Sequence, residues 1–142
     1  MDTNQKGDVP ELEVLTYITK LGYQVSIPFG DRDRYDQIWD IHGNLLRVQV
    51  KTSHTTGVKD ETITFNCSSI VDKANQKIQS RKYTKDEIDY FATYWDNKCY
   101  LVPVEECSYT KTLRLEPPKN NQIKGISFAK DYEVEKIIAN IK

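Results

Sequence analysis

The chain has 142 residues, 38% of them hydrophobic and 29% charged, with 20 basic side chains against 21 acidic ones for a net charge of −1. That length fits one domain, residues 1–142, able to bury a core without disulfide or metal staples, and the composition excludes a disordered chain. The balanced charge gives no bulk attraction toward nucleic acid, so any such partner must be held by local patches.

Cys67, Cys99 and Cys107 form no CxxC pair and have only His42 and His54 as companions, which argues against a structural zinc site and reads as thiols of a reducing compartment. No stretch has the apolar length of a signal segment or a membrane span, and a cytoplasmic location is the expectation.

In chain order, Val14, Leu15, Ile18 and Leu21 recur at helical spacing, which predicts a helix from Asp8 as N-cap to Leu21, ended by Gly22. Tyr23–Pro28 alternates, with Val25 and Ile27 on one side, as a short strand. A charged loop over 31–34 then leads into two strand-like segments joined at His42-Gly43. Beyond them, 54–61 reads as a loop or hairpin tip and 62–66 as a strand. Over 69–83, Lys73, Lys77 and Arg81 at spacings of four suggest a basic helix face or a basic loop. Asp89–Trp95 and Cys99–Val104 predict a second hairpin, with Pro103 near a sheet edge; 112–115 is a last strand and 127–141 a closing amphipathic helix. Helical and strand patterns sharing one small core imply an α/β class, a mixed β-sheet flanked by helices.

The first hairpin carries the chemistry. With a two-residue turn at His42-Gly43, 41 pairs with 44 and 40 with 45, so Asp36 falls opposite Gln49, and Lys51 shares their face. A carboxylate, a carbonyl oxygen and an ammonium converging there is the composition of a hard-cation phosphodiester site. The other face, Trp39, Ile41, Leu46, Val48 and Val50, is core. The plain alternative is a solvent-facing hairpin with cross-strand polar pairs, against which stands the Ile, Val, Leu and Trp content expected of central strands.

Glu11 lies on the apolar face of the first helix, where a carboxylate needs a partner: either the capping box Asp8-Val-Pro-Glu11 or a metal near Asp36. Arg32, Arg34, Lys59, Lys73, Lys77 and Arg81 are candidates to neutralise phosphates, and His54 to touch DNA. Each basic residue taken singly reads equally as solvated surface.

Lys6-Gly, Glu11, Gly22-Tyr, Pro28-Phe-Gly-Asp, Arg34-Tyr-Asp and Arg47-Val-Gln-Val-Lys-Thr, followed by Ile88-Asp-Tyr-Phe-Ala, Tyr100-Leu-Val-Pro-Val-Glu, Asn120-Asn-Gln and Ala129-Lys-Asp-Tyr, resemble the PD-(D/E)XK nucleases. More narrowly they resemble the branch of the cyanobacterial group I intron homing endonuclease that targets a tRNA gene. The resemblance implies a restriction-endonuclease-like core and a homotetramer on a long, nearly palindromic double-stranded DNA site. It also implies Mg²⁺-dependent double-strand cleavage by Glu11, Asp36, Gln49 and Lys51, with Asp36, Gln49, Glu11 and the Val50 carbonyl as metal ligands. Gln49 stands where the superfamily usually has an acid, as it does in the homing branch, and it removes one negative charge that Glu11 is placed to restore. Two other expectations stay open: a structure-selective, restriction or repair nuclease of the same fold, and a non-catalytic DNA-binding module.

Overall fold

The first helix is longer than its apolar periodicity predicts. In the computed structural model, which describes residues 2–30, 34–55, 61–72, 78–116, 120 and 123–142, α1 spans Thr3–Lys20. Its N-cap is Asp2, whose side chain accepts from the Gln5 amide at 2.9 Å while the Gln5 side chain accepts from the Asp2 amide at 3.1 Å. Asp8 is therefore not the cap: the first turns carry no apolar residue to reveal them, and Asp2-Thr-Asn-Gln5 is the capping box in place of Asp8-Val-Pro-Glu11. The C-terminal end is as expected. Gly22, at φ +96°, lets its own amide bond to Thr19 and that of Tyr23 to Ile18, a Schellman closure that a Cβ would strain.

β1 (Gln24–Ser26) is shorter than predicted and leaves Ile27 61% exposed. It pairs with β2 (Gln37–Ile41), which turns through His42 and Gly43, both at positive φ, into β3 (Asn44–Val50). The register is the predicted one, Ile41 opposite Asn44 and Gln37 opposite Val48, because the mirror-type turn matches strand twist only when it holds two residues. β4 (His54–Thr55) and β5 (Thr62–Asn66) follow.

The basic segment is a hairpin, β6 (Ser68–Asp72) against β7 (Ile78–Lys82), not a helix. Ladder pairing has claimed the backbone of Ser68–Asp72 and Ile78–Lys82, while Lys73 and Lys77 lie outside the described residues. β8 (Tyr90–Trp95) and β9 (Lys98–Pro103) make the second predicted hairpin, and β10 (Thr110–Arg114) pairs with β5. The closing helix is reduced to α2 (Val134–Ala139), preceded by a 3₁₀ turn at Ala129–Tyr132.

The main sheet has five strands in the order β1-β2-β3-β8-β9, with β3 central and parallel to β8 and the other pairs antiparallel. Pro103 sits on the edge strand, where its missing N–H costs no ladder bond. Val14 and Ile18 of α1 and Val134 and Ile138 of α2 pack on one face, against Trp39, Ile41, Val48, Val50 and Leu101. The other face, through Phe91, Tyr100 and Val102, is covered by Ile63, Phe65 and Leu113 of a second sheet, β10-β5-β4. Side chains such as Trp39, Ile41 and Val48, fully buried, each contribute about 1.5–3 kcal/mol, and they hold β2 and β3 rigidly beneath whatever their open ends carry.

Candidate active site

β2 stops at Gln37 while β3 runs on to Val50, and that mismatch of length makes the site. Asp36 continues the ladder in two ways. Its amide donates to the Val48 carbonyl at 2.9 Å, and its Oδ2 accepts from the Val50 amide at 2.9 Å. Both backbone groups of a strand residue point to the same side, so the Val50 carbonyl opens toward Asp36. Gln49, half-buried, falls opposite Asp36 by the hairpin register, and its side-chain amide makes no hydrogen bond among the described residues.

α1 brings the second carboxyl. Gln37 points into the core, 1% exposed, where it donates to the Glu11 carbonyl at 2.9 Å and accepts from the Trp39 indole at 2.9 Å. This buried clamp fixes the helix against β2 and aims Glu11 at Asp36. The two carboxyls lie close enough to act on each other's ionisation. Burial, and next the Asp36 charge, push Glu11 from 4.5 up to about 7. Burial also raises Asp36, but the Val50 amide, the Glu11 carboxyl and Lys51 all favour its ionised form. Near neutral pH the pair therefore holds one proton, on Glu11.

Lys51 closes the group. Its amide donates to Ala92 at 2.9 Å and its carbonyl accepts from the Thr93 hydroxyl at 2.7 Å, which ties the end of β3 to β8. Its Nζ donates to the Ser68 carbonyl at 3.3 Å and lies 5.1 Å from the centroid of the Tyr83 ring. Burial depresses the ammonium, with the Asp36 charge pulling the other way.

The donor set fits a hard divalent cation. Two carboxyls lie together with the Lys51 ammonium as their neighbouring positive charge, and the Gln49 amide oxygen and the Val50 carbonyl stand on the adjoining strand. Among the described residues no group of three or more His, Cys, Asp or Glu gathers to hold a metal alone; the residues that could hold a cation here are Glu11 and Asp36 with the neutral oxygens of Gln49 and Val50.

The structure thus brings Glu11 and Asp36 into contact, with Lys51, Gln49 and Val50 on the adjoining end of β3. Arg34 it commits elsewhere. The guanidinium donates to Glu87, Ser69, and the carbonyls of Lys82 and Arg81 at 2.6–3.4 Å and stacks 3.6 Å over Tyr83, leaving the side chain 15% exposed. It fastens β7 beside the site, and phosphate contact would require breaking those bonds.

Arg47 and Asp40, on the same hairpin face as Asp36, are spent on Asp89 and on the Gly43 amide. Arg81 is 58% exposed and paired with Glu87 at 3.0 Å, and His54 is exposed on β4. Arg32, Lys59, Lys73 and Lys77 lie outside the described residues. Two supporting residues have no motif to announce them. Gln37 shows only as a polar residue at a core-facing parity, and Tyr83 gives no sequence signal.

No curated protein matches the chain. Among solved structures it is similar to a bacterial homing endonuclease, I-Ssp6803I, with a TM-score of 0.76 and 22% identity over 100% of this chain and 99% of that one. The sequence profile described as PD-(D/E)XK endonuclease matches residues 1–135, and these residues include every member of the carboxyl, amide and lysine group described above. The chain belongs to the PD-(D/E)XK endonuclease family.

Proposed function

We propose that the chain is a site-specific endonuclease that hydrolyses phosphodiester bonds in both strands of DNA with Mg²⁺, acting in homing on a long pseudo-palindromic site. The observation that carries this reading is the carboxyl pair Glu11–Asp36 beside Lys51 at the open end of β3. Glu11, Asp36, the Gln49 side-chain oxygen and the Val50 carbonyl would hold the cation, which when bound supplies polarisation of the phosphoryl oxygen and support for the leaving 3′ oxygen. Asp36 is the fixed charge of the set because the Val50 amide anchors it. Glu11 releases its proton on cation binding and so restores the charge that glutamine at position 49 withholds.

Lys51, held by Ser68 and Tyr83, orients the attacking water and neutralises charge gathering on the phosphate. Water attacks directly, and no covalent bond to the protein forms. His54 and Arg81, with Arg32, Lys59, Lys73 and Lys77, supply backbone and groove contacts. Assembly as a homotetramer gives these weak patches avidity on one duplex, consistent with a net charge near zero. The homing role is supported by the likeness in fold to a bacterial homing endonuclease.

The test is cleavage of plasmids bearing the intronless form of DNA that flanks the coding sequence, with and without Mg²⁺. Linear product at one position, lost in Lys51→Ala, is expected. Cutting of branched junctions with indifference to sequence would replace homing by a structure-selective nuclease, and unchanged cleavage by Lys51→Ala would remove the assigned site.

A further inference from the structure

The outer face of the second sheet has an unusual composition. Along β5 the core takes Ile63 and Phe65, so Thr64 and Asn66 face outward; along β10 it takes Leu113, so Thr110 and Thr112 do the same. His54 of β4 pairs directly with Thr64, and Thr64 with Thr112. The middle of this face is thus a row, His54–Thr64–Thr112, flanked by Asn66 and Thr110, with no carboxylate and no large apolar side chain in it. A sheet face kept in water by charge usually carries Lys and Glu; this one carries short hydrogen-bonding groups that stand close to the backbone.

The groups are pre-set. Asn66 Oδ1 accepts from the Ser68 amide at 3.1 Å and the Ser68 hydroxyl at 2.9 Å, which fixes the carboxamide and leaves its NH₂ for an outside acceptor. The hydroxyls of Thr64 and Thr112 are 2.9 Å apart, one donating to the other, so each is oriented by its neighbour. His54, Thr64, Asn66, Ser68, Ser80, Tyr109 and Thr110 line a cleft of about 700 Å³. One of its lining residues, Ser68, also accepts from Lys51 Nζ through its carbonyl. Lys82, over the Tyr109 ring at 4.5 Å, and Arg81 put positive charge at its rim.

We infer that this face, through Thr64, Asn66 and Thr112 with His54, reads base edges in the major groove of the duplex that the Glu11–Asp36 site cuts. The inference rests on DNA being the substrate. β5 and β10, five residues in each strand, form the β10 edge of this three-stranded sheet, and a major groove about 12 Å wide admits such a pair of strands. The NH₂ of Asn66 suits the acceptors of purine N7 or guanine O6. The paired threonines offer one donor, further acceptors and methyl groups that suit thymine. Phosphate contacts from the basic rim set register on the duplex but carry no sequence information, so this row supplies the part of recognition that charge cannot.

The test selects bound duplexes from a randomised library with wild-type protein, Thr112→Val, Asn66→Asp and Thr112→Ser. Thr112→Val keeps the side-chain shape and removes the hydroxyl; Asn66→Asp keeps the acceptor for Ser68 and removes the outward donor. The expected result is one enriched motif for wild type. Preference should fall by about tenfold or more at one or two positions, different ones, in Thr112→Val and Asn66→Asp, and stay wild type in Thr112→Ser. The same motif with all variants, or no motif with wild type, overturns the inference. Cleavage of the enriched duplex with Mg²⁺ is scored separately, so failure of the nuclease reading shows as a motif that is bound and not cut.

Discussion

The carboxyl of Glu11, on α1, lies beside that of Asp36, at the mouth of the β2–β3 hairpin, and burial together with the Asp36 charge lifts Glu11 to about 7. Two elements far apart in sequence meet here because Gln37 clamps the Glu11 carbonyl while the Val50 amide holds Asp36. In the proposed function the negative charge that a cation would need is held in this way as a proton on Glu11.

That storage makes stability depend on pH. Glu11 titrates at 4.5 in the unfolded chain and near 7 when folded, so its contribution to stability is complete below about 4.5 and is lost as pH rises through 7. Metal-free protein should melt lower at about pH 8 than at about pH 5.5, and Glu11→Gln should flatten that difference. Mg²⁺ competes with the proton, so its stabilising effect should grow over the same window. Thermal melts in four combinations of pH and metal check this; equal Mg²⁺ stabilisation at both values would mean that the pair does not hold the ion.

Asp36→Asn should abolish turnover, by on the order of 10²–10³ or more, and leave the fold intact. Asparagine retains an oxygen for the Val50 amide and removes the charge that raises Glu11, so metal-free stability near pH 8 should hold or rise. Plasmid cleavage and urea unfolding measure the two effects. An unfolded variant would make Asp36 a structural residue.

Lys51→Met preserves the apolar stem against Tyr83 and deletes the ammonium. Cleavage should drop by about 10² or more while stability changes by less than about 1 kcal/mol, the Ser68 hydrogen bond being long at 3.3 Å and modest in net worth. Single-turnover cleavage beside an unfolding curve separates them, and retained cleavage would assign the water-orienting role elsewhere.

Gln49→Glu adds a third acid beside a pair already sharing a proton. Metal-free protein should lose stability near pH 8, and the Mg²⁺ concentration giving half the maximal thermal shift should fall. Among the described residues Gln49 makes no side-chain bond that the exchange would break, so the two shifts report the charge itself. A lower melting point with no gain in Mg²⁺ affinity would place position 49 outside the ligand set.

The hairpin register, and with it the facing of Asp36 and Gln49, was legible because a His-Gly turn and strict alternation leave one solution. The second hairpin was legible from its alternation, the central place of β3 from its Ile, Val, Leu and Trp content, and the edge place of Pro103 from its missing N–H. What stayed hidden has physical causes. The start of α1 lies in a polar stretch without periodicity, so Asp8 looked like the cap and Glu11 like a capping residue. The β6–β7 hairpin follows a charge spacing that suits a helix until pairing is known. Arg34 looked like a phosphate ligand because sequence does not reveal four internal acceptors and an aromatic ring closing around it.

Gln37 offers a test of how the site is supported from within. Replacing it with leucine keeps the volume but leaves the Trp39 indole N–H buried without its acceptor and frees the Glu11 carbonyl from β2. A buried unsatisfied donor costs about 1–3 kcal/mol, and α1 should shift relative to the hairpin. The distinctive outcome is in the titration: with Glu11 no longer pressed on Asp36, the fall in metal-free stability between about pH 5.5 and 8 should shrink along with Mg²⁺ affinity. Gln37→Glu, able to accept from Trp39 but not to donate when ionised, should keep more stability than the leucine variant yet still misplace Glu11. If Gln37→Leu lost stability with the pH slope and Mg²⁺ affinity unchanged, the clamp would be a packing feature without influence on the carboxyl pair.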